Sequence, residues 1–329
     1  MTKIFAVAVL LSLCSCHRRP LKDPENSVEL KILIDVDNIR NVTYGVYNPE
    51  LPLPDIEPDM MHALLYDDEG RQIVAELYIS GKDVNAEGRT VFRSTLQAAP
   101  GKYRLLAYNF GTEAAVVENL GSLSTAMARS TVVPDRLSKH YLGKSEGDEQ
   151  VIYEPEHIMV ASEAVEIPYH TDVHTVEVRA STVVETWYVQ IKVDGLQWVT
   201  GAQAFLSGMA SGNFIAENNR IVDPQVTVWF PMVKGTDDGD DVICAIFNTF
   251  GHVDDSDNDL SVTFSLNTTD GKTVMHEFDI SQLFEPENAI KHKWLLLDET
   301  IVIEEPEKKG GGFDPVVGDW EEEHKDIVI

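Results

Sequence analysis

The strongest constraint on the fold is an alternation of apolar with other side chains in short runs of the chain. In "VELKILIDV" the apolar residues Val28, Leu30, Ile32, Ile34 and Val36 occupy every second position. Because successive side chains of a β-strand point to opposite faces, this period of two predicts a strand with one buried face. Further candidate strands with turn residues between them are "MMHALLYD", "QIVAELYIS", "TVFRSTLQ" and "KYRLLAYNF", whereas residues 113–150 show no clear period. We therefore expect an all-β fold.

The second half of the chain repeats this pattern. In "VETWYVQIKV" Trp187 is in phase with Val189, Ile191 and Val193, which predicts that Trp187 is buried in a core. Asp270-Gly271 separates "LSVTFSL" from "TVMHEFDIS", and Asp-Gly between two alternating runs is typical of a β-hairpin. Short strands at regular spacing indicate β-sandwiches, in which the inward-facing side chains of two sheets form the core.

The N-terminus has the pattern of a bacterial lipoprotein signal. Lys3 precedes an almost purely apolar segment, residues 4–13, which is shorter than the roughly 20 residues of a membrane-spanning helix. The following "LCSC" resembles a lipobox, in which a cysteine becomes the first mature residue and carries lipid. Cys16 has Leu13 three positions before it and the small Ser15 directly before it. We therefore expect lipidation at Cys16, and an ordinary secretory signal is the alternative.

Charge and cysteine content limit the function further. The chain of 329 residues has a formal net charge of −29. This argues against nucleic-acid binding, which requires a basic surface, and suits a body held away from the membrane by a tether. Beyond Cys14 and Cys16 only Cys244 remains, within an apolar run, so we expect it to be a buried structural residue.

No motif in the sequence predicts an enzyme. His170 and His174 lie close together, but no further metal ligand accompanies them. The acidic segment 254–260 lacks the glycine and the final glutamate of a calcium loop, so a solvated turn is the simpler interpretation. We name no catalytic residue, metal ligand or cofactor, and the small-molecule ligand is unknown.

The C-terminal tail is unusual because it combines acidic and large apolar residues. Pro306 and the glycines at 310–312 separate it from the preceding strands. We predict that it forms a strand that contacts either its own domain or a partner. The side chains expected to make that contact are Phe313, Val316, Trp320, Ile327 and Ile329.

Several segments in this order resemble the Bacteroidales fimbrillin-associated lipoproteins, which include fimbrial anchors, minor subunits and related paralogues. The segments are the lipobox, "VAELYIS", "PGKYRLLAYNF", "LSGMASG", "FNTFG" and the closing "GGGFDPVVGDW" with "DIVI". The resemblance implies two tandem transthyretin-like β-sandwich domains, a lipid anchor in the outer membrane and assembly with fimbrial subunits by strand addition. The basic residues directly after Cys16 depart from the acidic residues often found in surface-exported lipoproteins of this phylum.

These observations give one model of the chain. Its segments are a signal peptide (1–15), a tether (16–27), an N-terminal β-sandwich (28–155), a C-terminal β-sandwich (156–304) and the tail (305–329). The expected function is that of a cell-surface fimbrial anchor or minor subunit in adhesion, attached to the membrane through lipid at Cys16. The alternative is a surface lipoprotein that captures a glycan or another ligand for nutrient uptake, which exposed, clustered aromatic residues would favour.

Overall fold

The architecture is that of an all-β protein, as predicted. The computed structural model describes residues 27–36, 57–137, 149–169, 171–253 and 260–306. Its first nine strands are β1 (Val28–Val36), β2 (Met61–Asp67), β3 (Ile73–Ile79), β4 (Lys82–Val84), β5 (Thr90–Ala98), β6 (Gly101–Asn109), β7 (Ala115–Glu118), β8 (Met127–Ser130) and β9 (Gln150–Tyr153).

The second nine strands follow residue 158. They are β10 (Met159–Ile167), β11 (Val173–Thr182), β12 (Glu185–Asp194), β13 (Val199–Phe214), β14 (Asn219–Asp237), β15 (Asp240–Thr249), β16 (Ser261–Thr268), β17 (Thr273–Asp279) and β18 (Trp294–Val302). Helical structure is short: the described residues include α1 (Glu287–His292) and 3-10 turns at Leu123–Thr125, Leu196–Trp198 and Ser281–Phe284.

The first sheet has the strand order β3-β2-β6-β10-β11-β1-β5-β4 and folds over into two layers. The layers join where β10 meets β11, and only two residue pairs, Met159 with Thr182 and Val160 with Ser181, connect these strands. The alternating residues of β1 predicted to be inward-facing are buried, and they pack with residues of β2, β5, β6 and β10 in one core. This packing confirms the strand phase read from "VELKILIDV".

The second sheet has the order β17-β16-β13-β14-β15-β12-β18, with β8 on β13, β7 on β8 and β9 on β14. The long strand β14 belongs to both layers, because Asn219 to Met232 pair with β13 and Val233 to Asp237 pair with β15. Trp187 is 1% exposed in the core between the layers, as predicted. The predicted hairpin is also present, with Leu266 opposite Val274 and Gly271 at a φ of 81°.

Strand pairing crosses the middle of the chain. β7, β8 and β9 attach to the second sheet, whereas β10 and β11, later in the sequence, attach to the first. A third buried cluster joins the two parts, with Leu64 and Leu106 of the first sheet against Ala210 and Phe250 of the second. The division at residues 155 and 156 stays a prediction about folding units, and the segment around it is shared between the sheets.

Candidate functional site: the free edge of strand β3

The ends of the two sheets are the places where the described part of the fold offers unpaired backbone groups. The end strands are β3 and β4 in the first sheet and β17 and β18 along the main path of the second. An end strand has one row of N–H and C=O groups without a neighbouring strand, so it can pair with another chain unless its sequence or geometry prevents this. The four strands differ in how well their sequence and geometry protect them against pairing with another chain.

Strands β4 and β18 carry protective features. β4 has three residues, and all three are exposed, including Lys82 and Asp83. In β18 the pairing with β12 shifts, so that Leu296 faces Gln190 and Thr300 faces Lys192. The residues of β18 inside this bulge include Asp298 and Glu299, and a bulge with two carboxylates disfavours the pairing of a further strand.

Strand β17 is regular but polar. It pairs with β16 without interruption from Thr273 to Asp279. Glu277 and Asp279 are exposed on one face, and His276 is half-buried on the other. Charged side chains along a short edge strand are a common protection against unwanted pairing.

Strand β3 has fewer of these protections, because its one register shift, at Val74, lies at the start of the strand. Its sequence "IVAELYI" contains one charged residue, Glu76, and the pairs from Met61–Ile79 to Leu65–Ala75 are continuous. Ala75 and Leu77 pack toward the sandwich core, whereas the opposite face exposes 47% of Val74 and 62% of Tyr78. Among these four end strands of the described structure, β3 therefore has the best geometry for receiving another strand.

Three rings form a ladder across the outer face of this edge. His62 of β2 lies directly opposite Tyr78 of β3 and Tyr108 of β6. The rings of Tyr78 and His62 stack with centroids 4.2 Å apart and an interplanar angle of 9°. His62 Nδ1 is 2.8 Å from the hydroxyl of Tyr108, and the ring of Phe110 contacts Tyr78 edge-on at 5.2 Å. The ladder therefore holds the Tyr78 ring in one orientation.

The ladder is neutral and ends beside one carboxylate. Burial lowers the pKa of His62, and the nearby Glu76 opposes this shift without cancelling it. The imidazole is consequently neutral at pH 7. Its Nε2 atom lies 3.5 Å from Glu76 Oε2 and has no closer hydrogen-bond partner. Burial also raises the pKa of Tyr108, so its hydroxyl stays protonated.

The site residues predicted from the sequence lie elsewhere in the chain. Cys16 and the tail residues Phe313, Val316, Trp320, Ile327 and Ile329 are outside the described residues. Cys244 is fully buried beside Tyr188, as expected. Within the described ranges no three His, Cys, Asp or Glu side chains are grouped to hold a metal ion, and no helix there is long and apolar enough to cross a membrane.

Sequence reasoning identified β2 and β3 as strands but did not identify His62 or Tyr78. The sequence contained part of the information needed to place Tyr78 on an outer face, because Val74, Glu76 and Tyr78 alternate with the inward-facing residues of "VAELYIS". What the sequence did not contain was the position of β3 at the end of its sheet. A strand at the centre and a strand at the edge can have the same alternating pattern.

Comparisons with known proteins agree with this fold. The model of a family described as "Domain of unknown function (DUF5119)" matches residues 52–231. The "Putative fimbrium anchoring subunit Fim4B" of Bacteroides ovatus is 20% identical over 318 residues, which cover 93% of this chain and 80% of that protein. A crystal structure described as a "putative adhesin" of the same species has a TM-score of 0.59 at 17% identity and covers 89% of this chain and 98% of its own.

Proposed function

This chain belongs to the DUF5119 family, and from that premise we propose that it is a cell-surface lipoprotein acting as a fimbrial anchor or minor subunit in adhesion. The observation that supports this most is the similarity to a fimbrium anchoring subunit over 93% of the chain. The relatives reported above are described as adhesion and anchoring proteins rather than enzymes. The proposed role is therefore mechanical.

The proposed mechanism has three parts. Lipid at Cys16 holds the protein in the outer membrane with its body on the cell surface, and residues 16–27 serve as the tether. The two β-sheets, joined by their shared buried cluster, carry load between the membrane and the fibre. A strand of a neighbouring subunit adds to a free sheet edge, where main-chain hydrogen bonds provide affinity and side-chain contacts provide specificity. The free edge of β3 supports this last part.

The tail provides a second route to strand addition. Residues 313–329 follow β18 after a glycine-rich segment, and their large apolar side chains would each gain roughly 1.5–3 kcal/mol on burial. We propose that the tail forms a strand that docks on its own second sheet in the monomer and exchanges onto a partner in the fibre. A truncation after Lys309 distinguishes the roles. Lower stability indicates self-docking, and loss of partner binding at unchanged stability indicates donation.

The decisive experiment replaces the chromosomal copy by Cys16→Ala. Cells are labelled with an alkyne fatty acid, and fimbriae are counted by electron microscopy on the cells and in the medium. We expect the variant to lose the label and to shed fimbriae into the medium. A matched Cys14→Ala variant should keep the label on Cys16 and the fimbriae on the cells. Equal labelling of Cys16→Ala and wild type would refute the lipid anchor, and unchanged fimbriae after complete gene deletion would refute the fimbrial role.

The alternative of glycan capture finds no support on the described surface. Clustered exposed aromatic residues would favour it, but Tyr78 and Tyr169 lie far apart, and the rings that contact Tyr78 belong to the buried His62 and the half-buried Phe110. Tyr78 belongs to the row of residues that includes Tyr108 and Val160, whereas Tyr169 follows Ile167, which pairs with Gly101 at the opposite end of β6. We therefore propose the fimbrial role alone.

A further inference from the structure

The ring ladder on the first sheet is incomplete at its outer end. Neighbouring strands are spaced by roughly 4.7–4.9 Å, which is close to the 4.2 Å between the Tyr78 and His62 centroids. The Tyr78 ring therefore covers one face of His62, and the Tyr108 ring meets His62 edge-on with centroids 5.3 Å apart. His62 is covered from both sides and is 6% exposed, whereas Tyr78, on the last strand, is 62% exposed. The face of Tyr78 that points away from His62 has no ring on it in the described structure.

From this geometry we infer that the open face of Tyr78 receives an arginine from a partner strand that pairs with β3. The inference rests on the proposed strand addition and specifies which side chain the partner supplies. A strand added beside β3 places one residue opposite Tyr78 on its free side, as His62 is placed on its other side. A planar side chain at that position would stack on the ring and continue the ladder.

The position of Glu76 indicates that this planar side chain is a cation. His62 lies opposite Tyr78, and its Nε2 atom reaches to within 3.5 Å of Glu76 Oε2, two residues along β3. A long side chain at the equivalent position on the other side of β3 has the same diagonal reach to Glu76. Glu76 keeps 59% of its side-chain exposure, so its carboxylate is accessible from that side.

Arginine satisfies both requirements with one side chain. Its guanidinium is planar and stacks on aromatic faces, and it donates two parallel hydrogen bonds to a carboxylate. A tyrosine or tryptophan would cover the ring but leave Glu76 desolvated without a partner. A lysine would pair with Glu76 but stack poorly on the ring. The net charge of −29 also favours the approach of a basic segment.

The test uses the full chain on cells that carry fimbriae. Tyr78→p-azidophenylalanine retains an aromatic ring and crosslinks on illumination to whatever lies against it. A control with p-azidophenylalanine at Tyr169, which is 72% exposed and follows Ile167 at the far end of β10, reports non-specific capture. We expect position 78 to capture a fimbrial subunit through an extended segment with an arginine within one residue of the crosslink.

A synthetic peptide of the captured segment then tests the arginine itself. Replacing the arginine by alanine should weaken binding to the wild-type chain about 5-fold to 30-fold, as loss of a stacked cation would. Glu76→Gln should weaken the arginine peptide and leave the alanine peptide unaffected. Glu69→Gln, an exposed glutamate that pairs with Arg71 outside β3, should change neither.

The outcomes separate this inference from the function on which it rests. Capture of a fimbrial subunit through a segment without arginine would overturn the inference and leave the fimbrial role intact. Capture of a glycan or of this chain's own tail at position 78, or no capture there, would overturn it as well. Unchanged fimbriation after gene deletion is the separate result that would overturn the fimbrial role.

Discussion

Two glutamates in the connection between β9 and β10 should respond in opposite ways to the same substitution. Glu154 Oε2 accepts a hydrogen bond from the backbone N–H of Asn248 at 3.0 Å. Burial raises the pKa of Glu154 to about 7, and the nearby Glu156 adds to the shift. At neutral pH the fold therefore holds a carboxylate that is more favourable when protonated. We predict that Glu154→Gln stabilises the protein.

The size of the stabilisation expected for Glu154→Gln follows from the pKa shift of Glu154. The ordinary pKa is 4.5 and the folded value is about 7, and each unit corresponds to about 1.4 kcal/mol. Because the side chain keeps some exposure, we expect Glu154→Gln to raise the free energy of unfolding by about 1–3 kcal/mol at pH 8. The folded pKa is raised, so the contribution of the protonated group is fully present below pH 4.5 and is lost as pH rises through 7. The increase in the free energy of unfolding on Glu154→Gln should accordingly vanish near pH 4.5.

Glu156→Gln is the matched control. Its carboxylate accepts hydrogen bonds from the backbone N–H groups of Glu113, Ala114 and Ala115 at 2.7–3.1 Å. Burial raises the pKa of Glu156, but these donors outweigh burial and lower it overall. A glutamine amide faces some of these donors with its own N–H, so we expect a loss of about 1–3 kcal/mol at pH 8. Denaturant unfolding at pH 4.5 and 8 measures both variants, and a destabilised Glu154→Gln at pH 8 would refute the reasoning.

Two further predictions concern the second sheet. Trp187→Ala should cost about 3–5 kcal/mol in denaturant unfolding because Trp187 is buried in the core, and a loss below about 1 kcal/mol would contradict that packing. Gly251→Ala should lower the melting temperature much more than Gly239→Ala. Both glycines have positive φ, at 104° and 91°, and a Cβ at Gly239 would meet open space. A Cβ at Gly251 would clash with the Arg220 guanidinium, which cannot easily move because it donates hydrogen bonds to Glu185 and to the carbonyl of His252. Equal losses of melting temperature for the two substitutions would show that backbone strain at positive φ, and not the clash with Arg220, causes the destabilisation.

The sequence was sufficient to predict strand phase wherever a strand was long enough to show alternation. The faces of β1 and β12 and the hairpin at Asp270-Gly271 were all predicted correctly. Each of these features depends on local chemistry, because side-chain period and turn residues act within about ten positions of the chain. The four-residue strands β7 and β8 were missed, since so few residues show no period.

Features that depend on distant contacts could not be predicted in this way. On the face of β12 opposite Trp187, Tyr188 and Gln190 are also buried. The alternation in the sequence distinguishes the two faces but does not show that both are covered. The return of β10 and β11 to the first sheet depends on pairing with β6 and β1, more than 50 residues earlier for β10 and more than 130 for β11. The free edge of β3 depends on the same topology.

The topology also determines how an anchored molecule resists local opening. β1 directly follows the proposed tether, and it lies inside the sheet with eight residue pairs to β5 and eight to β11. A strand paired on both sides and buried on its inner face opens only with much of the sandwich, whereas an end strand opens alone. We therefore expect the amides of β1 to exchange hydrogen far more slowly than those of β3 and β4, as measured by hydrogen–deuterium exchange with peptide mass spectrometry. Exchange of β1 as fast as that of β4 would contradict this view. It would also remove the structural reason for attaching a membrane tether at this strand.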